Sequence, residues 1–132
     1  MFFRHFVPNL TWAFAILFVC GIPGGEDGSN GIWHQFHLDK LAHAGIFCLF
    51  TLSLLIALHK QNRYRRWRTN ARFIALLVGV LYGALIEYLQ GTVFVTRNGE
   101  LPDFMADVAG CLIGIVVFRV VYGKQHAKKV EA

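Results

Sequence analysis

Eight polar residues draw notice by where they sit: Asp39, Lys40 and His43, then Glu87 and Gln90, then Arg97, then Asp103 and Asp107. Each borders or enters a long apolar run. Ionisable side chains are expensive to keep there, and so mark function by default. Their types define the chemistry open to them. His43 is a general base or a metal ligand. Glu87, Asp103 and Asp107 offer the oxygen donors that suit a divalent cation such as Mg²⁺ or Mn²⁺. Lys40 and Arg97 can take phosphate through charge-assisted hydrogen bonds, the arginine bidentately. Three carboxylates gathered in one place repel if all are ionised and unpaired. Lys40, Arg97 or a protonated His43 can supply counter-charge; a bound cation or a retained proton are the other remedies. The candidates for catalysis are therefore His43, Glu87 and Asp107, and those for a metal are Glu87, Asp103 and Asp107. A plainer reading makes Asp39 and Asp103 helix N-terminal residues, favoured there by the helix dipole and by capping. Glu87, inside the apolar helix end LYGALIEYLQ, resists that reading most.

The elements that must position these residues are apolar. Of 132 residues, 55% are hydrophobic and only 16% charged, against roughly 25% charged in an average soluble domain. A soluble chain of this length has one small core in which to hide such surface; lipid is the simpler solvent. Four apolar stretches, about 6–22, 41–58, 73–90 and 103–122, approach the roughly 20 residues that cross a bilayer as a helix. The expected fold is all-α, a single domain over 1–132 forming an integral membrane bundle of four transmembrane helices. The first stretch is the weakest, with Pro8, Asn9 and Thr11 near its start. It lacks a clean cleavage site and reads as a retained helix.

Charge is sorted along the chain. The 59–72 connection holds Lys60, Arg63, Arg65, Arg66, Arg68 and Arg72 and no acid, and the tail holds Lys124, Lys128 and Lys129. Only Lys40 and Arg97 among the thirteen Lys and Arg fall on the other side, together with seven of the eight acids. Basic flanks stay in the cytoplasm, which predicts an N-in, C-in protein with the polar residues at the outer membrane face. The sorting also argues against nucleic acid as a partner. The basic loop reads as a topology determinant touching anionic lipid headgroups. Cys20, Cys48 and Cys111 have no metal or disulfide spacing and read as small apolar residues. Trp12, Trp33 and Trp67 read as interface anchors.

Spacing sharpens the placement. Gly79, Gly83, Glu87 and Gln90 lie on one helix face, and so do Asp103, Asp107, Gly110 and Gly114. The two series run in opposite senses, so antiparallel packing would set glycine against glycine and acid against acid. Glu87 would stand about 12 Å above Gly79, and Asp103 about 10 Å above Gly110. Since glycines four apart let membrane helices approach closely, the third and fourth helices are expected to form the tight core pair, with a polar pocket at its outer mouth.

Asp39-Lys40-x-x-His43, Glu87-x-x-Gln90, Arg97 with Asp103 six residues on, and Ala106-Asp107-x-x-Gly110-x-x-x-Gly114 together resemble the VanZ-like family of small bacterial membrane proteins. The resemblance runs from about residue 10 to residue 120. Two departures stand out. The family more often has Asn where Asp107 stands, which adds a negative charge here. Its usual Arg-Ser-x-Ser pattern is replaced by Arg97-Asn98-Gly99-Glu100, which puts a hydroxyl-based ligand contact in doubt. The resemblance implies a multi-pass protein of the bacterial cytoplasmic membrane; the family's namesake is associated with low-level resistance to the glycopeptide teicoplanin, while many relatives have no evident link to glycopeptides.

Three functions fit. In the first, Asp39, Lys40, His43, Glu87, Gln90, Arg97, Asp103 and Asp107 bind a polar or anionic group of an envelope lipid or a lipid-linked cell-wall intermediate. In the second, a divalent cation makes the same pocket a membrane hydrolase or transferase. In the third, the protein is structural, and the glycine faces pair protomers into a homo-oligomer.

Overall fold

The computed structural model describes residues 3–21, 38–61, 63–93 and 101–130, with side chains placed to residue 123 and from residue 40 in the second helix. The described residues form helices and no strand. A 3₁₀ turn, Phe3–His5, leads into α1 (Val7–Gly21). Then follow α2 (Leu38–Lys60), a short α3 (Arg65–Thr69), α4 (Ala71–Thr92) and α5 (Leu101–Val130). Pro8 and Pro102 each occupy the second position of their helix, where a missing N–H removes no intrahelical bond. Asp103 sits in the first turn of α5, and His59 and Lys60 in the last turn of α2, the ends at which the helix dipole favours their charges.

Three helices are long and apolar enough to cross a membrane: Lys40–Lys60, Ala71–Thr92 and Leu101–Gly123. The first apolar stretch gives a shorter helix of 15 residues, about 22 Å at the usual rise. The outward faces are greasy. Phe14, Phe18, Phe73, Leu81, Tyr88, Met105 and Val116 are all exposed. In water such a surface would drive aggregation; in lipid it is the expected exterior.

Helix α2 is the hub, touching α1, α4 and α5. One core cluster joins Ile16 and Cys20 of α1, Phe47 and Phe50 of α2, Ile86 of α4 and Cys111 of α5. Tyr82 stacks on Phe50 with ring centroids 5.3 Å apart. A second cluster joins Leu54, Leu55 and Leu58 to Ala71, Ala75 and Phe118.

Polar side chains dock the short first helix. Asn9 is buried and donates from Nδ2 to the Phe50 carbonyl at 3.1 Å and to Ser53 Oγ at 2.9 Å. The Trp12 indole N–H donates to the Ile46 carbonyl at 3.2 Å, and the Tyr82 hydroxyl to the Ala13 carbonyl at 2.6 Å. Trp12 thus bonds α1 to α2, which corrects its reading as an interface anchor; Trp67 is exposed on α3, and Trp33 lies outside the described residues. In an apolar interior an unmade hydrogen bond is costly, so these contacts fix how α1 lies on the bundle.

The expected tight pairing of the third and fourth apolar helices is corrected. The most extensive interface joins α5 to α2, which run parallel. A Cβ on Gly110 would strike the Ala44 carbonyl oxygen, with the Ala44 Cα at 2.9 Å, and one on Gly114 would meet the Cys48 carbonyl at 2.8 Å. The α4 glycines serve another purpose. Gly79 makes room for the Cys111 side chain, and Gly83 for the Asp107 carboxylate. Glycine is therefore matched with small residues of α2, or with side chains of α5, and not with glycine.

Candidate functional site

The parallel register of α2 and α5 brings their first turns together, and α4 ends beside them. Five of the eight polar residues, Lys40, His43, Glu87, Asp103 and Asp107, converge there. Lys40 Nζ donates to Asp103 Oδ1 at 3.1 Å. One turn deeper, His43 Nδ1 lies 2.9 Å from Asp107 Oδ1, with both side chains buried. With Asp107 ionised, its carboxylate can only accept, and the His43 Nδ1–H donates to it. One ligand atom each from His43, Glu87 and Asp103 fall within 4.8 Å of one another.

Each helix contributes for a local reason. On α2, Lys40 and His43 project from neighbouring turns toward α5, as their spacing dictates. On α5, Asp103 and Asp107 are one turn apart and both buried, Asp107 completely. The Asp107 carboxylate fits because Gly83 has no side chain; a Cβ there would lie 3.1 Å from Oδ2. Oδ2 is buried with no hydrogen-bond partner among the described residues. Gln90 is also buried, one turn beyond Glu87 on α4.

Glu87 belongs to two environments. It shares the polar cluster with His43 and Asp103, and it also borders a cavity of about 400 Å³ between the end of α4 and the start of α5. Ala84, Tyr88, Leu101 and Phe104 line that cavity, so its walls are mostly apolar. A polar tip beside a greasy groove suits an amphiphile.

Arg97 lies outside the described residues, as does the Asp39 side chain. Among the metal candidates, Glu87 and Asp103 belong to the group that can share an ion. Asp107 bonds His43 and sits behind it, and His43 takes the third ligand position. The residues sequence reasoning passed over are Asn9, Tyr82 and Gln61, which are structural. The signal for Asn9 and Tyr82 is a polar group inside an apolar stretch; Gln61 lies among the polar residues of the 59–72 connection, where nothing in the sequence sets it apart.

No curated protein and no solved structure matches the chain. A family model described as VanZ/LLP1 matches residues 4–122, a span that contains all three helix ends of the cluster. The chain therefore belongs to the VanZ/LLP1 family of membrane proteins.

Proposed function

We propose that this protein crosses the bacterial cytoplasmic membrane four times, with both termini inside, and binds the polar headgroup of an envelope lipid at its outer face. The sorted charges support the topology. Glu87, common to the buried cluster and the apolar groove, carries the binding reading. Headgroup hydroxyl or ammonium groups would donate to Glu87 and Asp103. A phosphate would face Lys40 and Arg97, and an acyl or isoprenoid chain would lie along Tyr88, Leu101 and Phe104. If the ligand is a lipid-linked cell-wall intermediate, a link to teicoplanin resistance follows from the same site.

The test is mass spectrometry of lipids retained by the purified chain. Wild type should hold a defined lipid, and Glu87→Ala should retain at least about tenfold less, the loss expected when a charged hydrogen-bond partner is removed from a buried site. Equal retention of the same lipids by Glu87→Ala overturns the reading.

One observation favours a second reading, a metal-assisted hydrolase or transferase. His43, Glu87 and Asp103 are a His-Glu-Asp set of the kind that holds a divalent cation. Asp107 would orient the histidine from behind, as carboxylates commonly do for metal-bound imidazole. Metal analysis of purified protein should then give one ion per chain, abolished in His43→Ala and removable by chelator. Lipid retention that survives complete chelation, with no stoichiometric metal, removes this reading and leaves simple binding.

A further inference from the structure

At the opposite end of α2 lies a second cavity, about 880 Å³, which none of the binding roles above uses. His43 and His59 are sixteen residues apart on α2, so the two sites are separated by roughly 24 Å along the helix. Five cations border this cavity: Lys60, Arg65, Arg68, Arg72 and Arg119. No acid lines it among the described residues. Four of the cations come from the 59–72 segment. Arg119 comes from α5, which carries no other charge between Asp107 and Gly123. A topology signal alone does not require an arginine on α5 to face the same space as the basic loop.

The cavity is built, not merely charged. Gln61 is buried and acts as a backbone surrogate: its Oε1 accepts from the Tyr64 N–H at 2.8 Å, and its Nε2 donates to the Tyr64 carbonyl at 2.8 Å and the Leu58 carbonyl at 3.3 Å. These bonds tie the end of α2 to Tyr64, the residue before α3, from which Arg65 and Arg68 border the cavity. The wall toward the bundle is apolar and aromatic. His59 rests against Phe118 at 4.7 Å, and Phe118 stacks on Tyr122 at 4.7 Å, with Ile56 beside them.

We propose that this cavity is a specific site for the phosphate of an anionic phospholipid. The arginines take the phosphate oxygens, and the Ile56, Phe118 and Tyr122 wall takes the glycerol and upper acyl chains. Basic pockets between membrane helices have this character. The apolar wall favours a lipid over a soluble phosphate, which has nothing to place there.

The test uses the full chain extracted from vesicles of phosphatidylglycerol and phosphatidylcholine, with bound lipid counted by native mass spectrometry. Wild type should carry one enriched phosphatidylglycerol per chain. Arg68→Gln with Arg119→Gln should lower that occupancy about thirtyfold, as expected for two cations at an anionic site. Arg63→Gln with Arg66→Gln removes the same charge from exposed residues that do not line the cavity, and should change it less than about threefold. Equal losses in the two double variants, or no enrichment in wild type, overturn the proposal. So does displacement of phosphatidylglycerol by inorganic pyrophosphate, which would make the occupant a soluble anion. Unchanged thermal unfolding of both variants confirms that binding and not folding is being read.

Discussion

Gly110→Ala is expected to destabilise the bundle by about 3 kcal/mol, at the upper end of what inserting one methyl into a packed interior does. The new Cβ would meet the Ala44 backbone, with its carbonyl carbon and Cα both at 2.9 Å. Main chain in mid-helix cannot rotate aside as a side chain can, so α2 and α5 must separate. Separation would loosen the Lys40–Asp103 and His43–Asp107 contacts, which span the same interface. The neighbouring glycines make a graded series. Gly114→Ala meets the Cys48 carbonyl at 2.8 Å and should cost somewhat less. Gly79→Ala meets the Cys111 sulfur at 2.5 Å, a side-chain atom that can turn away, and should cost less again. Gly45→Ala and Gly123→Ala meet nothing within 4 Å and should be neutral or stabilising by up to about 1 kcal/mol, since alanine is the better helix former. Unfolding midpoints in detergent measure the order. A Gly110→Ala protein as stable as Gly45→Ala would mean that α2 and α5 do not approach as described.

That series also shows what the sequence made legible. The glycine faces were visible as four-residue repeats, but their partners were not. A search confined to glycines pairs Gly79 and Gly83 with Gly110 and Gly114. The actual partners of α5 are Ala44 and Cys48, also four apart and also small, which the same packing rule admits. Periodicity tells which face is small; it does not tell which neighbour fills it. The Asp107 carboxylate explains part of the choice, because it occupies the space Gly83 leaves and so prevents α4 and α5 from closing glycine on glycine.

The polar residues were easier to place. His43, Glu87 and Asp103 sit near helix ends, and successive long helices that alternate in direction bring such ends to one end of the bundle, so their co-location follows from the order of the helices. Their pairing does not. That Lys40 meets Asp103 while His43 meets Asp107 depends on the parallel stagger of α2 and α5, which one-residue shifts along either helix would change. The short first helix was ambiguous because Asn9 weakens its hydropathy, and that same residue anchors it to Phe50 and Ser53. The basic loop read as a topology signal because its charges are contiguous in sequence. Arg119, nearly fifty residues on, joins them only through the fold.

Asp107 gives the second large effect. Asp107→Ala removes the carboxylate 2.9 Å from the buried His43 Nδ1 and empties the space beside Gly83. We expect a loss of about 3 kcal/mol, near the lower end for orphaning one partner of a buried pair. Asp107→Asn should be far milder, within about 1 kcal/mol, because its carbonyl oxygen can replace Oδ1 as the acceptor for His43. The amide nitrogen would then take the place of Oδ2, which has no hydrogen-bond partner among the described residues, so little is lost there. The two variants separate orientation from charge. If Asp107 acts by holding the imidazole, Asp107→Asn keeps both stability and ligand retention while Asp107→Ala loses both. If its charge is what the site uses, Asp107→Asn folds normally yet loses the ligand. A double-mutant cycle with His43→Ala measures the coupling directly, and in-contact pairs of this kind give 0.5–3 kcal/mol in general. Additive effects of Asp107→Ala and His43→Ala would show that the two residues, though 2.9 Å apart, do not act as a unit, and the site would then have to be rebuilt around Glu87 and Asp103 alone.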